Sequence, residues 1–269
     1  MNRLRVMFVF FKKDLQEEMS YRTAFVMQIG GIFLTTSLWY LIAGFLRPAE
    51  GAIPEFPGVP YFAYLLVGIA FSHYLWSALS SFAAKLRGEQ LAGTLEAMLM
   101  TPTPIPLIIL SSALWDFFIS SVRVVLYLAL GMFFGLQLRF DSLVAFSIIL
   151  LLTILAFSGI GILSAAFILY LKRGDPINFL ISSASALFGG VFIPAQSLPH
   201  HLGEVGRLLP ITYALSGIRK SLLSGMRLHE LLPEISALLI FVAVLMPLGM
   251  AGFTLAVRKA RQEGSLAQY

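Results

Sequence analysis

From Leu143 to Leu171 the chain runs without a single Asp, Glu, Lys or Arg, and no other feature restricts its fold as strongly. A helix needs about 20 mostly apolar residues to cross the hydrocarbon of a bilayer, and this stretch exceeds that. Five more segments read the same way: Ala24–Leu46, Tyr61–Phe82, a span within Ile105–Leu136, Ile177–Ala195 and Leu232–Val257. The segment within 105–136 is too long to stand upright, so it should tilt or begin in the interface. Ile177–Ala195 is the shortest. Composition agrees, with 58% hydrophobic and 12% charged residues, where soluble domains carry about 25% charged. The expected fold class is therefore an all-α membrane protein with six transmembrane helices over residues 24–257.

Lys and Arg favour the cytoplasmic ends of spans. With both termini on one side, that side holds Arg3, Arg5, Lys12, Lys13, Arg22, Lys85, Arg87, Lys172, Arg173, Arg258, Lys259 and Arg261. The other side holds Arg47, Arg139, Arg207, Arg219, Lys220 and Arg227. Twelve against six places both termini, and the tail 258–269, in the cytoplasm. The net charge of +5 then suits anionic lipid better than nucleic acid. "VMFVFF" is too short for the apolar core of a signal peptide and is followed at once by Lys12–Lys13, so no cleavage is expected. There are no cysteines, and the adjacent His200–His201 have no third ligand at a telling spacing, so no metal site is expected.

Residues 1–23 read as an amphipathic interface helix. Leu4, Met7, Phe8, Phe11, Leu15 and Met19 recur at three- and four-residue steps, with charged residues between them. Such a helix could anchor in the headgroups or act as a lever touching a cytoplasmic partner. Between the fifth and sixth spans, "GGVFIPAQSLPHHLGEVGRLLPITYALSGIRKSLLSG" holds three prolines and six glycines, too broken for an ordinary span. Ile211, Leu215, Ile218 and Leu222 nevertheless form one apolar stripe. Irregular backbone at membrane depth is tolerated only inside protein or along a cavity. The stretch of about 196–228 therefore reads as a re-entrant pair of short helices on the outer side, against the alternative of a loop lying flat on the headgroups.

Asp116 and Arg123 stand seven residues apart and share a helical face, with about 10.5 Å of rise between them. Arg123 falls near mid-span, where a charge costs about 2.5–3.5 kcal/mol on insertion scales, so it should face a partner or water. The pair can clamp helices together or act on substrate. Tyr127 can lean on Arg123. Most aromatics suit the interfacial belt or packing, although Phe71 and Tyr74 could line a passage. The small residues of "SSASALFGG" permit close helix approach, at a subunit seam or at a pathway wall.

No phosphate-binding GxxxxGK[ST] loop, GxSxG elbow or HExxH pair occurs, so the chain reads as a non-enzyme. What remains is the segment from Arg87, "RGEQLAGTLEAMLMTPTPIP". Leu95, Met98 and Leu99 share a helical face beside Glu96, and Pro102, Pro104 and Pro106 stop the helix from running into the next span. A short helix of about 87–101 with an abrupt end results.

"GTLEAMLMTPTP" resembles the cytoplasmic motif of ABC-2 type permeases, the membrane subunits of one class of ATP-binding-cassette exporters. "GGVFIPAQSLP" followed by "LLPITYALSGIR" resembles the outer motif of that family. The resemblance implies a coupling helix seated on a separate ATPase, formed by Gly93, Thr94, Leu95, Glu96 and Leu99, with Arg87, Glu89 and Met98 beside them. Glu96 would meet a basic residue of the ATPase. Phe8, Phe11 and Leu15 would carry the N-terminal helix, and Gly189, Gly190, Pro194, Pro199, Pro210 and Tyr213 the outer segment. It further implies two permease chains, an identical pair being favoured, and two ATPases that carry the ATP and Mg. The location implied is a bacterial inner membrane.

The expected function is the permease subunit of an ATP-driven exporter for an amphipathic drug-like molecule or lipid. Alternatives are export of a polysaccharide or lipid-linked glycan, and a membrane scaffold or assembly factor without transport. An ion-coupled transporter would want more intramembrane ionisable groups and an internal repeat.

Overall fold

The computed structural model describes residues 8–9, 11–16, 22–46, 53, 55–91, 105–171, 176–194 and 199–262. All regular structure among them is helical. In chain order the helices are α1 (Arg22–Leu46), α2 (Tyr61–Leu91), α3 (Ile105–Phe133), α4 (Leu143–Leu171), α5 (Pro176–Phe188), α6 (His200–Arg207), α7 (Pro210–Leu223) and α8 (Leu232–Gln262). A 3-10 turn, Leu228–Leu231, leads into α8.

Five of these, α1 to α4 and α8, are long and apolar enough to cross a membrane. The fifth expected span behaves differently. Its helix stops at Phe188, and residues 189–194 continue without regular structure. Gly190 explains the stop, because its φ of 76° is left-handed, a conformation glycine adopts without strain. At 13 residues, α5 is only about 20 Å long, short of the hydrocarbon thickness on its own.

α2 runs past the apolar segment ending at Phe82 and stays helical to Leu91. Lys85, Leu86, Arg87, Glu89 and Gln90 are good helix formers, which offsets Gly88, so the helix continues where the hydropathy stops. At 31 residues it is a rod of about 46 Å. Arg87 and Glu89 therefore lie in its last turns, and the short helix expected from position 87 starts as a continuation of the second span. Pro106 occupies the second position of α3, where its missing N–H is tolerated.

α4 is the central element, packed against α2, α7 and α8. Contact is made through missing side chains. A Cβ on Gly161 would collide with the Ala78 carbonyl oxygen of α2. On the other flank a Cβ on Gly249 of α8 would come within 2.6 Å of the Gly159 carbonyl oxygen. Close approach of this kind drives helix association in lipid, where apolar burial between helices contributes little. α1 buries only a stripe at Ile32, Thr36 and Ala43 against α2 and α3, while Met27, Leu34 and Phe45 point outward.

Candidate functional site

The connections 53–60, 134–142, 189–194 and 224–231 gather at one end of the bundle with α6 and α7, opposite the end that carries Leu91. Arg139 N–H donates to the Leu222 carbonyl at 2.8 Å, and Ser221 Oγ to the Ser142 carbonyl at 3.3 Å. Tyr61 Oη donates to the Phe192 carbonyl at 3.2 Å, and Tyr64 Oη to the Gly190 carbonyl at 2.8 Å.

Arg219 organises this end. It is 2% exposed and spends its fork on backbone oxygens. Nε donates to Tyr64 O at 3.2 Å, Nη1 to Gly190 O at 2.8 Å and Nη2 to Val191 O at 3.0 Å. Its Cζ also stands 3.5 Å from the centroid of the Tyr64 ring. Carbonyls freed where α5 breaks off thus find donors inside the protein, as non-helical backbone away from water requires. Gly68 leaves the space: a Cβ there would strike Arg219 Nη2 and lie 2.5 Å from Val191 O. Burial pushes the Arg219 guanidinium down to about 10, which still leaves it charged at neutral pH.

Lys220, the next residue, faces the other way. Its Nζ lies 2.6 Å from Glu234 Oε1 of α8 and 3.2 Å from Glu55 Oε1 of the α1–α2 connection. Ser216 Oγ stands 2.8 Å from Glu55 Oε1 and 3.1 Å from Glu234 Oε1, and its one proton serves a single carboxylate at a time. Burial lowers the Lys220 pKa, but Glu234 and Glu55 outweigh it and leave the ammonium above the ordinary lysine value. Two distant stretches, the α1–α2 connection and α8, are thereby tied to α7. Beside them opens a polar cavity of 380 Å³, lined among others by Glu204, Arg207, Thr212 and Tyr213.

The expected outer residues fall in or beside this assembly. Gly189 and Gly190 line the cavity, Pro194 is buried, Pro199 precedes α6 and Pro210 opens α7. Tyr213 packs its ring 5.9 Å from Phe241. Sequence reasoning counted Arg219 and Lys220 among outer charges and missed both. The available signal was a cation four residues after Leu215, beside the apolar stripe of α7.

Arg123 turns toward α1. With the Gln28 amide oriented oxygen-inward, that oxygen accepts from Arg123 Nε and from Nη2 at 2.9 Å. Asp116, on the same helix, accepts at its backbone carbonyl from Ser77 Oγ of α2 at 3.3 Å. Tyr127 stacks on His73, ring centroids 5.2 Å apart, and is hydrogen-bonded to Thr35. A polar layer therefore ties α1, α2 and α3 together within the apolar spans. Phe71 and Tyr74, possible passage residues, are buried at 2% and 1% exposure in the core. Ser182 and Ser185 of α5 face α2 across a crevice of 140 Å³, a contact inside one chain.

Phe11 sets its ring 5.1 Å from Trp115 and 5.4 Å from Phe118, so the helical residues 11–16 lie against α3. Leu15 is half-buried and Phe8 exposed. Gly93, Thr94, Leu95, Glu96, Met98 and Leu99 lie outside the described residues. The family described as ABC-2 type transporter matches residues 8–223 of the chain, which takes in α1 to α7. No curated protein matches it.

Proposed function

The chain belongs to the ABC-2 type transporter family, and we propose that it is the permease subunit of an ATP-driven exporter whose outer gate is the Arg219–Lys220 assembly. One observation carries this reading. α2 is an unbroken rod whose far end leads into the segment 93–99 and whose near end carries Tyr61 and Tyr64, the residues bound to 190–192. A stiff helix transmits displacement along its axis, so a push at one end reaches the backbone break after α5 at the other.

In this mechanism ATP and Mg are bound by two copies of a separate ATPase chain, and none of that chemistry belongs to the permease. Closure of the ATPases displaces the coupling residues Gly93, Thr94, Leu95, Glu96, Met98 and Leu99, with Arg87 and Glu89 at the base of the same rod. The N-terminal helix moves with α3 through Phe11. α5 and residues 189–194 together make the sixth crossing, and α6 and α7 re-enter from the outer side. Two identical permease chains enclose the passage, with both termini in the cytoplasm of a bacterial inner membrane. The cargo is an amphipathic drug-like molecule or lipid, a choice supported by apolar spans without long hydrophilic stretches.

The test is reconstitution of the chain with the ATPase it copurifies with, in vesicles loaded with fluorescent amphiphiles or short-chain labelled lipids. ATP-dependent movement that stops when residues 64 and 190 are joined by a Tyr64→Cys and Gly190→Cys crosslink, and resumes on reduction, supports the gate. Movement unaffected by a formed crosslink contradicts it.

A further inference from the structure

α6 is laid across the end of α5, and a glycine lets it lie close. A Cβ on Gly206 would come within 2.5 Å of the carbonyl oxygen of Phe188, the last residue of α5. The Gly206 carbonyl in turn accepts from Thr212 Oγ1 of α7 at 2.6 Å. Pinned between α5 and α7, α6 forms one wall of the 380 Å³ cavity beside Lys220 and brings Glu204 and Arg207 into its lining. That volume falls within the about 300–1,000 Å³ of small-molecule sites. Arg207 is exposed, whereas Glu234, from the first turn of α8, is buried at 6% exposure. The cavity therefore has a cation at its rim and a carboxylate at its depth.

Glu234 is only half satisfied. Lys220 Nζ and Ser216 Oγ both approach Oε1, at 2.6 and 3.1 Å, while Oε2 accepts no hydrogen bond. A buried carboxylate oxygen without a donor is costly. The last torsion of a glutamate is soft and two-fold, so either oxygen can turn to a donor that enters the cavity. An ammonium is the strongest such donor, because both partners of the bond are then charged. The other side of α6 has a different character. Leu202, Val205 and Leu208 are 41%, 38% and 75% exposed and recur at three-residue steps, which sets them on one face of the helix. A short helix with one exposed apolar face and one polar face rests at the boundary of headgroups and acyl chains. Headgroups then stand level with the cavity.

We propose that this cavity binds a phospholipid whose headgroup carries a primary ammonium, with the ammonium at Glu234, the phosphate at Arg207 and the acyl chains beside Leu202, Val205 and Leu208. The N–H protons decide the class. A trimethylammonium carries the same charge but has no proton to donate, and a glycerol headgroup brings only neutral hydroxyls. Neither meets Glu234 as a charged donor does. A soluble zwitterion would use Glu234 and Arg207 equally well but gains nothing from the apolar face of α6. The site adjoins the Arg219–Lys220 assembly and is independent of the exporter reading, because lipid binding is measured without ATP or cargo.

The experiment is native mass spectrometry of the purified full chain, delipidated and titrated with phosphatidylethanolamine, phosphatidylcholine or phosphatidylglycerol of identical acyl chains. The parent should retain severalfold more phosphatidylethanolamine than either other lipid. Glu234→Gln should erase that preference. Arg207→Gln, a change at an exposed position, should cut phosphatidylethanolamine retention severalfold, and it keeps the test decisive if Glu234→Gln does not fold. Retention of either other lipid equal to that of phosphatidylethanolamine by the parent would overturn the proposal. So would an undiminished preference in Glu234→Gln, or undiminished retention in Arg207→Gln. Displacement of the bound lipid by free phosphoethanolamine at equal concentration would assign the cavity to a soluble zwitterion instead.

Discussion

Replacing Arg219 by Leu should destabilise the end of the bundle that holds it more than any other single charge-removing change there. The magnitude can be worked from its contacts. Val191 O takes its side-chain hydrogen bond from Nη2, and a buried carbonyl deprived of its donor costs about 1–3 kcal/mol. Gly190 O keeps Tyr64 Oη and Tyr64 O is the carbonyl of a helical residue, so each loses about 1 kcal/mol or less. The guanidinium lying on the Tyr64 ring contributes about 1–2 kcal/mol in a desolvated site. Against this stands the desolvation of the buried cation, which the variant no longer bears. The net expectation is a loss of about 3 kcal/mol, with Arg219→Lys intermediate because an ammonium cannot reproduce the planar fork. Thermal unfolding of the purified protein in nanodiscs, with Tyr64→Phe and the double variant beside it, measures the effect. Residues sharing a partner couple, so the double variant should lose less than the two singles added together. An Arg219→Leu protein within about 0.5 kcal/mol of the parent, the range of an ordinary surface change, would refute the clamp.

Other expectations concern separate parts of the molecule. Gly161→Val should force α2 from α4 and cost about 1–3 kcal/mol or more, as overpacking does, read as a lowered melting midpoint; an unchanged midpoint would contradict the close crossing. Gln28→Leu should cost about 1 kcal/mol, the scale of interhelical hydrogen bonds in membranes, and Arg123→Leu on the same background should then add little. Lys220 is held above its ordinary value of 10.5, so the stability it contributes is fully present below that value and is lost as pH rises through the higher folded one. Melting midpoints between pH 9 and 12 should fall less steeply in Lys220→Met than in the parent. A parallel fall in both proteins would remove Lys220 from the ion pair.

Much of the helical frame was legible because lipid imposes a simple criterion. Leu143–Leu171 was read as a span and is α4 to the residue; Ala24–Leu46 differs from α1 only at its start. Tyr61–Phe82 is the apolar part of α2, but hydropathy did not show that the helix runs on to Leu91, because it detects where lipid ends and not where the helix does. Nor did it show that the helix of the fifth segment ends at Phe188, because Val191, Phe192 and Ile193 are apolar whether or not they are helical, and the break at Gly190 depends on φ. The clamp was harder still. Arg219 finds its partners in residues 64, 190 and 191, and Lys220 in Glu55 and Glu234. Such pairings come from topology, and one sequence without a template carries no sign of them beyond a cation beside an apolar stripe. Arg123 was legible as needing a partner or water, but Gln28 on α1 was not, since spacing within one helix does not say which neighbouring helix a side chain meets.

The central claim is that this chain passes on movement generated by a separate ATPase through the segment 93–99. The most direct measurement is ATP hydrolysis by the complex of this chain with its copurifying ATPase, compared with the same complex carrying Glu96→Arg. Loss of copurification, or hydrolysis that no longer responds to the permease, is the expected result. Full copurification with unchanged, permease-responsive hydrolysis in the variant would contradict the claim.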